Sequence, residues 1–151
     1  MSSDLQWLLL RNNHSFIVKR VAEGPIFSKE PGNLRNLHSF KFSGLANSKT
    51  IHIADSPTGV QITTRKPKAS PYGVSTASST STIRARSGSR RAQRVVANAT
   101  AKRGYRPDLR TAALARVSAL LAAQREPKPT PAKKLRGKKK PVTAAEVDSE
   151  A

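Results

Sequence analysis

The sequence predicts an α+β fold: a small antiparallel sheet with an N-terminal helix, followed by two basic helices and an extended C-terminal tail. Three observations predict it. Apolar residues alternate with polar ones in short runs between Phe16 and Ile62, the period of two expected of half-buried strands. They return with helical spacing between residues 89 and 124. The composition also changes steeply along the chain: of the 31 Leu, Ile, Val and Phe in 151 residues, 18 lie in 1–60, 10 in 61–126 and 3 in 127–151. The net charges of the same three segments are +3, +12 and +4, for a total of +19. Cut where this texture changes, the chain divides into a sheet-and-helix body (1–64), a basic Ser/Thr-rich linker (65–82), two basic helices (83–126) and a Lys/Pro/Ala tail expected to be disordered (127–151).

The elements follow in order. Ser2 and Ser3 are suited to cap a first helix, with Asp4 in its first turn, where the positive end of the helix dipole favours an acid, and Leu5, Leu8 and Leu9 at i, i+3 and i+4. Asn12 and Asn13 end it. Strands are then expected around Phe16 and Val18, Phe40 and Phe42, Ile51 and Ile53, and Val60 and Ile62, with Lys41, Ser43, His52 and Gln61 on the opposite face. Asp55 to Gly59 supplies the turn residues for a hairpin between the last two, and Glu30 to Asn33 punctuates the longer connection before Phe40. The result is a small sheet with the first helix against it. Because about 60 residues are close to the minimum for an independent core, elements from the middle segment are expected to complete it.

Beyond Thr64, the stretch Ser70 to Ser81 has too little apolar surface to offset its ordering entropy and reads as a loop or linker. A helix is expected from about Ser89 to Arg103, with Arg86, Arg90, Arg91 and Arg94 on one side and Ala92, Val95, Val96 and Ala99 on the other. A second opens at Pro107 and Asp108 and runs to about Gln124, gathering Leu109, Ala113, Val117 and Leu120. Its Arg106, Arg110 and Arg116 fall beside that apolar arc, so their alkyl stems can lie on the core while the guanidinium heads reach outward.

Several function classes are excluded early. Apolar runs such as Trp7 to Leu10 are far below the ~18 residues of a membrane span, and the opening residues lack the order of a secretory signal, so a soluble protein outside that route is expected. The absence of cysteine excludes disulfides, a thiolate nucleophile and cysteine-ligated zinc. His14, His38 and His52 stand in no metal or catalytic spacing with Asp55 or Glu30, and Gly73 and Gly88 belong to no phosphate loop. His38 and His52 are expected as ordinary hydrogen-bonded neighbours across the sheet. The hydroxyls of Ser75 to Thr82 have no nearby base and read as linker chemistry or phosphosites rather than nucleophiles. No enzyme is predicted, and neither a cofactor nor a metal.

The charge needs a partner. One pair such as Arg90 and Arg91 reads equally well as a solvated helix face, but +12 over 61–126 repels itself unless a polyanion neutralises it. Arginine dominates this segment, and its planar head suits bidentate contact with phosphate. An anionic membrane would call for bulky apolar residues opposite the basic face, where Ala and Val stand instead. Nucleic acid is therefore the expected partner, bound by its backbone and shape, since no zipper heptads, zinc ligands or RNA-recognition signature are present. Phe40 and Phe42, with Lys41 between them, read as core residues. The expected phosphate contacts are Arg65, Lys66 and Lys68 in the linker, and Arg84, Arg86, Arg90, Arg91 and Arg94, then Lys102, Arg103, Arg106 and Arg110, in the helical segment. Lys133, Lys134, Arg136, Lys138, Lys139 and Lys140 in the tail add a diffuse contact or a nuclear-import address.

The residues also carry a resemblance. Met1 to Asn13, Ser15 to Arg20, Glu30 to Leu34, Ser39 to Leu45, Lys49 with Thr50, and Tyr105 to Arg110 resemble, in order and spacing, the eukaryote-specific large-subunit ribosomal protein family numbered twenty-eight. The resemblance extends over residues 1 to about 125. It implies a structural constituent of the large (60S) subunit of the cytosolic ribosome, with basic helices laid on ribosomal RNA, neighbouring large-subunit ribosomal proteins as partners, passage through the nucleolus during assembly, and no membrane, small-molecule substrate or catalytic activity. The alternatives are an architectural nucleic-acid-binding protein, a ribosome-assembly protein and a protein-protein adaptor.

Overall fold

A computed structural model describes residues 2–70, 72–73, 75–126 and 129–130. The α+β class is as the sequence predicts, and most of the tail, with its six expected phosphate contacts from Lys133 to Lys140, lies outside the described residues.

Helix α1 (Ser3–Leu10) is capped by Ser2, whose Oγ accepts from the Asp4 backbone N–H at 3.3 Å. The expected packing of this helix on the sheet does not form: none of its residues is fully buried, and Leu9 is 70% exposed. It is anchored by an aromatic contact, the Trp7 ring lying 4.9 Å from that of His38 and 6.0 Å from that of Phe40. Strands β1 (Ile17–Val18) and β2 (Phe27–Ser28) form a separate antiparallel pair. The strand expected at Phe40–Phe42 is a 3-10 turn. Polar side chains capture the backbone there before any strand can: Asn47 Nδ2 donates to the carbonyls of Phe40 and Ser43, and the buried Glu30 carboxylate accepts from Ser43 Oγ at 3.0 Å and from the Leu45 N–H at 3.3 Å.

The main sheet has the order β3-β4-β5, all antiparallel, with β3 (Ile51–Ser56), β4 (Gly59–Arg65) and β5 (Ser78–Arg84). The β3–β4 hairpin forms as expected, Ser56 pairing with Gly59 across Pro57 and Thr58. Gly59 (φ +139°) is obligatory, because a Cβ there would overlap the Ile83 carbonyl. Strand β5 corrects the linker reading of 70–81. Only Ile83 of its seven residues is buried, so no alternation announces it, and its order comes from the backbone ladder with β4.

Helix α2 (Ser89–Ala97) is shorter than expected and passes into a single π turn, Asn98–Lys102, inside which the buried Thr100 hydroxyl donates to the Val96 carbonyl at 2.9 Å. Pro107–Leu109 makes a 3-10 turn that leads into α3 (Arg110–Ala123). Leu121, rather than Leu120, joins Ala113 and Val117 in full burial, with Leu120 packed at the edge. Both helices cover one face of the sheet. The core consists of Ile51, Ile53, Val60, Ile62 and Ile83 from the strands, Ala92, Val96, Leu109, Ala113, Val117 and Leu121 from the helical segment, and Leu34 alone from the first fifty residues. The middle segment thus completes the core, as the small size of the first segment predicts. The most basic segment, 61–126, supplies eight of these twelve residues, because its Ala and Val side chains are short enough for the helices to approach the sheet closely.

Candidate nucleic-acid interface

Edge strand β5 and helix α2 enclose a groove of about 440 Å³ lined by Ser81, Thr82, Ile83, Arg84, Arg86, Ser87, Arg91 and Val95. Local chain geometry assembles it. Arg84 is the last residue of β5, paired with Gly59, and a 3-10 turn at Ala85–Ser87 follows, carrying Arg86 and Ser87. Gly88, at φ +74° and with open space around it, reverses the chain into α2. Arg91, one turn on, completes the set of three guanidinium groups beside three hydroxyls. Arg90 and Arg94 are exposed on the same helix. Among the described residues the one ion pair is Arg106 with Asp108, so no carboxylate lies within 4 Å of the arginines of this groove.

The other predicted cations are scattered or engaged. Arg65, Lys66 and Lys68 stand at the far end of the β4–β5 ladder: Arg65 pairs with Ser78 where Gly59 pairs with Arg84, a span of about 20 Å at ~3.3 Å per residue. Lys66 Nζ donates to the Thr76 carbonyl at 3.1 Å, and Lys68 is exposed. Lys102 and Arg103 are exposed beyond α2, as is Arg110 at the start of α3. Arg106 is a correction. Its guanidinium turns inward, donating to the carbonyls of Lys49 (3.0 Å) and Lys41 (2.9 Å) and to both carboxylate oxygens of Asp108 (2.9 and 2.8 Å), so it clamps the turn before α3 onto the 41–49 loop. Those hydrogen bonds hold the Asp108 carboxyl below the usual carboxylate range. Beside it Tyr105 ties the same segment to the sheet, its hydroxyl donating to the carbonyls of Thr50 and Arg65.

The histidines do not meet as expected. His38 Nδ1 lies 3.5 Å from His14 Nε2 and His38 Nε2 lies 2.7 Å from the Arg11 carbonyl, whereas His52 Nδ1 accepts from the Gly32 N–H at 3.1 Å. Burial first, and the Arg116 charge second, lower the pKa of His52. Among the described residues no group of three or more His, Asp or Glu stands close enough together to hold a metal ion. The groove hydroxyls of Ser81, Thr82 and Ser87 are the residues that sequence reasoning missed. They fell in or beside what read as a linker, and no periodicity in this all-polar run marks them.

Residues 5–123 match the Ribosomal L28e protein family. That stretch begins inside α1 and ends at the last residue of α3, so it contains both the core and the groove. A Schizosaccharomyces pombe protein named Large ribosomal subunit protein eL28 is 37% identical over 132 residues, covering 85% of this chain and 96% of its own. A Dictyostelium discoideum protein of the same name is 33% identical over 136 residues, 89% of this chain and 97% of its own. A Caenorhabditis elegans protein of that name is 37% identical over 81 residues, 54% of this chain and 64% of its own.

Proposed function

Because the chain belongs to the ribosomal L28e protein family, we propose that it is a structural, non-catalytic constituent of the large subunit of the cytosolic eukaryotic ribosome, held there by neutralising ribosomal RNA phosphates. The observation that carries the RNA contact is the groove between β5 and α2. Arg84, Arg86 and Arg91 converge there with no carboxylate of the described residues in reach, beside hydroxyls that can both donate to and accept from a ribose-phosphate backbone. Arg90, Arg94, Lys102, Arg103 and Arg110 extend the contact along the helices. Arg65, Lys66 and Lys68, about 20 Å away along β4, reach a second stretch of backbone, so that one rigid sheet fixes the spacing between two RNA segments. The tail cations from Lys133 to Lys140 add a diffuse contact. Neighbouring large-subunit proteins and nucleolar passage before assembly complete the reading.

The test is binding of the full chain to fragments of large-subunit ribosomal RNA over a salt series. Replacing Arg84, Arg86 and Arg91 together by Ala is expected to weaken binding at least ~10-fold and to reduce the log-log salt slope by ~2 to 3, with the unfolding midpoint nearly unchanged. Unchanged affinity overturns the groove as the contact. Tighter binding to duplex DNA than to RNA points to an architectural DNA-binding protein instead, and salt-independent association to an adaptor.

A further inference from the structure

We propose that Ser87 is the acceptor for an arginine-directed protein kinase, and that a phosphate placed there occupies the arginine groove and keeps the unassembled protein off RNA. The second half rests on the reading of the groove given above. Ser87 and Ser89 are the two hydroxyl residues of the chain that have arginine three positions before them, Arg84 and Arg86 respectively. Such spacing is what an acidic substrate cleft in a kinase recognises by charge complementarity. Geometry separates the two serines. Ser87 lines the groove with Arg84, Arg86 and Arg91, whereas Ser89 lies about 200° around α2 from Arg91, at ~100° per residue, and faces away from it. Ser87 also has Arg86 immediately before it, and it sits in a short turn between extended Arg84 and Gly88, which has open space around it, so the segment is presented to a partner enzyme.

The step is a phosphoryl transfer from a nucleoside triphosphate held by the kinase. Ser87 Oγ attacks the terminal phosphorus, the new Oγ–P bond forms as the bond to the departing nucleoside diphosphate breaks, and the hydroxyl proton passes to the kinase's base. The product adds about −1.5 to −2 charges and three acceptor oxygens at pH 7. With no carboxylate of the described residues within 4 Å of these guanidinium groups, the phosphate draws Arg84, Arg86 and Arg91 onto itself. Each arginine so engaged is withdrawn from an RNA phosphate. In the assembled particle RNA covers the same groove, so the acceptor is open only in the free protein.

The experiment uses the full chain, made without modification and incubated with ATP and a purified kinase that requires arginine at the third position before its serine. Mapping by mass spectrometry is expected to place most of the phosphate on Ser87, with most incorporation lost in Ser87→Ala. The phosphorylated chain is then expected to bind a large-subunit ribosomal RNA fragment at least ~10-fold more weakly than the unmodified chain, with a salt slope smaller by about 2, and phosphatase treatment should restore both. Incorporation at Ser89 or elsewhere in place of Ser87 overturns the assignment of the site. Incorporation at Ser87 with RNA affinity changed less than twofold overturns the blocking role. An unmodified chain that binds no RNA overturns the groove reading and the blocking role with it, while the mapping alone decides whether Ser87 is the acceptor.

Discussion

Helix α1 holds four leucines in eight residues and buries none of them fully, whereas α2 holds three arginines in nine and places Ala92 and Val96 entirely out of solvent. The difference lies in what each helix can approach. On α2 the short side chains stand at i and i+4, so one narrow stripe meets both α3 and the sheet while Arg90 and Arg94 remain in water. On α1 Leu5, Leu8 and Leu9 share one stripe but each is more than half exposed, and the contact the helix makes, Trp7 against His38 and Phe40, fastens it to the 38–42 segment rather than to the sheet. Apolar content therefore says how much a helix can bury, and shape says whether it does.

A matched pair of substitutions tests this most directly. Leu121→Ala in α3 is expected to cost about 2 to 5 kcal/mol, read from chemical denaturation of the isolated protein, because Leu121 is a buried member of the core and its truncation leaves a cavity. A cost below about 1 kcal/mol would show that α3 does not close the core.

A smaller, pH-dependent effect should appear at His52, on the opposite face of the sheet from the helices. Its folded pKa is lowered by burial and by Arg116, and its Nδ1 must stay unprotonated to accept from Gly32. The unfolded chain therefore binds a proton there before the folded one does. Stability is fully present above the unfolded histidine pKa of about 6.5 and is lost as pH falls through it toward the lower folded value. Replacing His52 by Gln should flatten that part of the stability profile, and the ring should titrate below the ordinary histidine value by NMR. Titration above that value would refute the sign.

The smallest effect belongs to α1. Leu9→Ala, the same truncation as at Leu121, is expected to change stability by no more than about 0.5 kcal/mol, since the side chain is already mostly in water. A cost of several kcal/mol would mean that α1 packs in solution against something the fold does not show.

Much of this was legible in the residues. The Ser2 cap, the β3–β4 hairpin at Pro57 and Thr58, and the apolar faces of α2 and α3 follow from local chemistry acting within a few residues. Three features were not legible. Strand β5 owes its conformation to hydrogen bonds with β4, residues 78–84 reaching back to 59–65, and Ser/Thr side chains record nothing of that pairing. The 3-10 turn at Phe40–Phe42 overrides an alternating pattern because Glu30 and Asn47, from either side in sequence, hold the loop. Arg106 looks like any other arginine in the run until the carbonyls of Lys41 and Lys49 come within reach, more than fifty residues away.

The sequence by itself determined the α+β class and the steep rise of charge along the chain, on which the expectation of a polyanionic partner rests, because composition, capping and periodicity act locally. Only the tertiary structure decided how much of the core the charged segment builds, that the leucines of α1 stay outside it, and that three of the many arginines share one groove with Ser87. Those outcomes depend on which surfaces meet across long stretches of chain, and a contact between distant residues leaves no mark in the order of either one's neighbours.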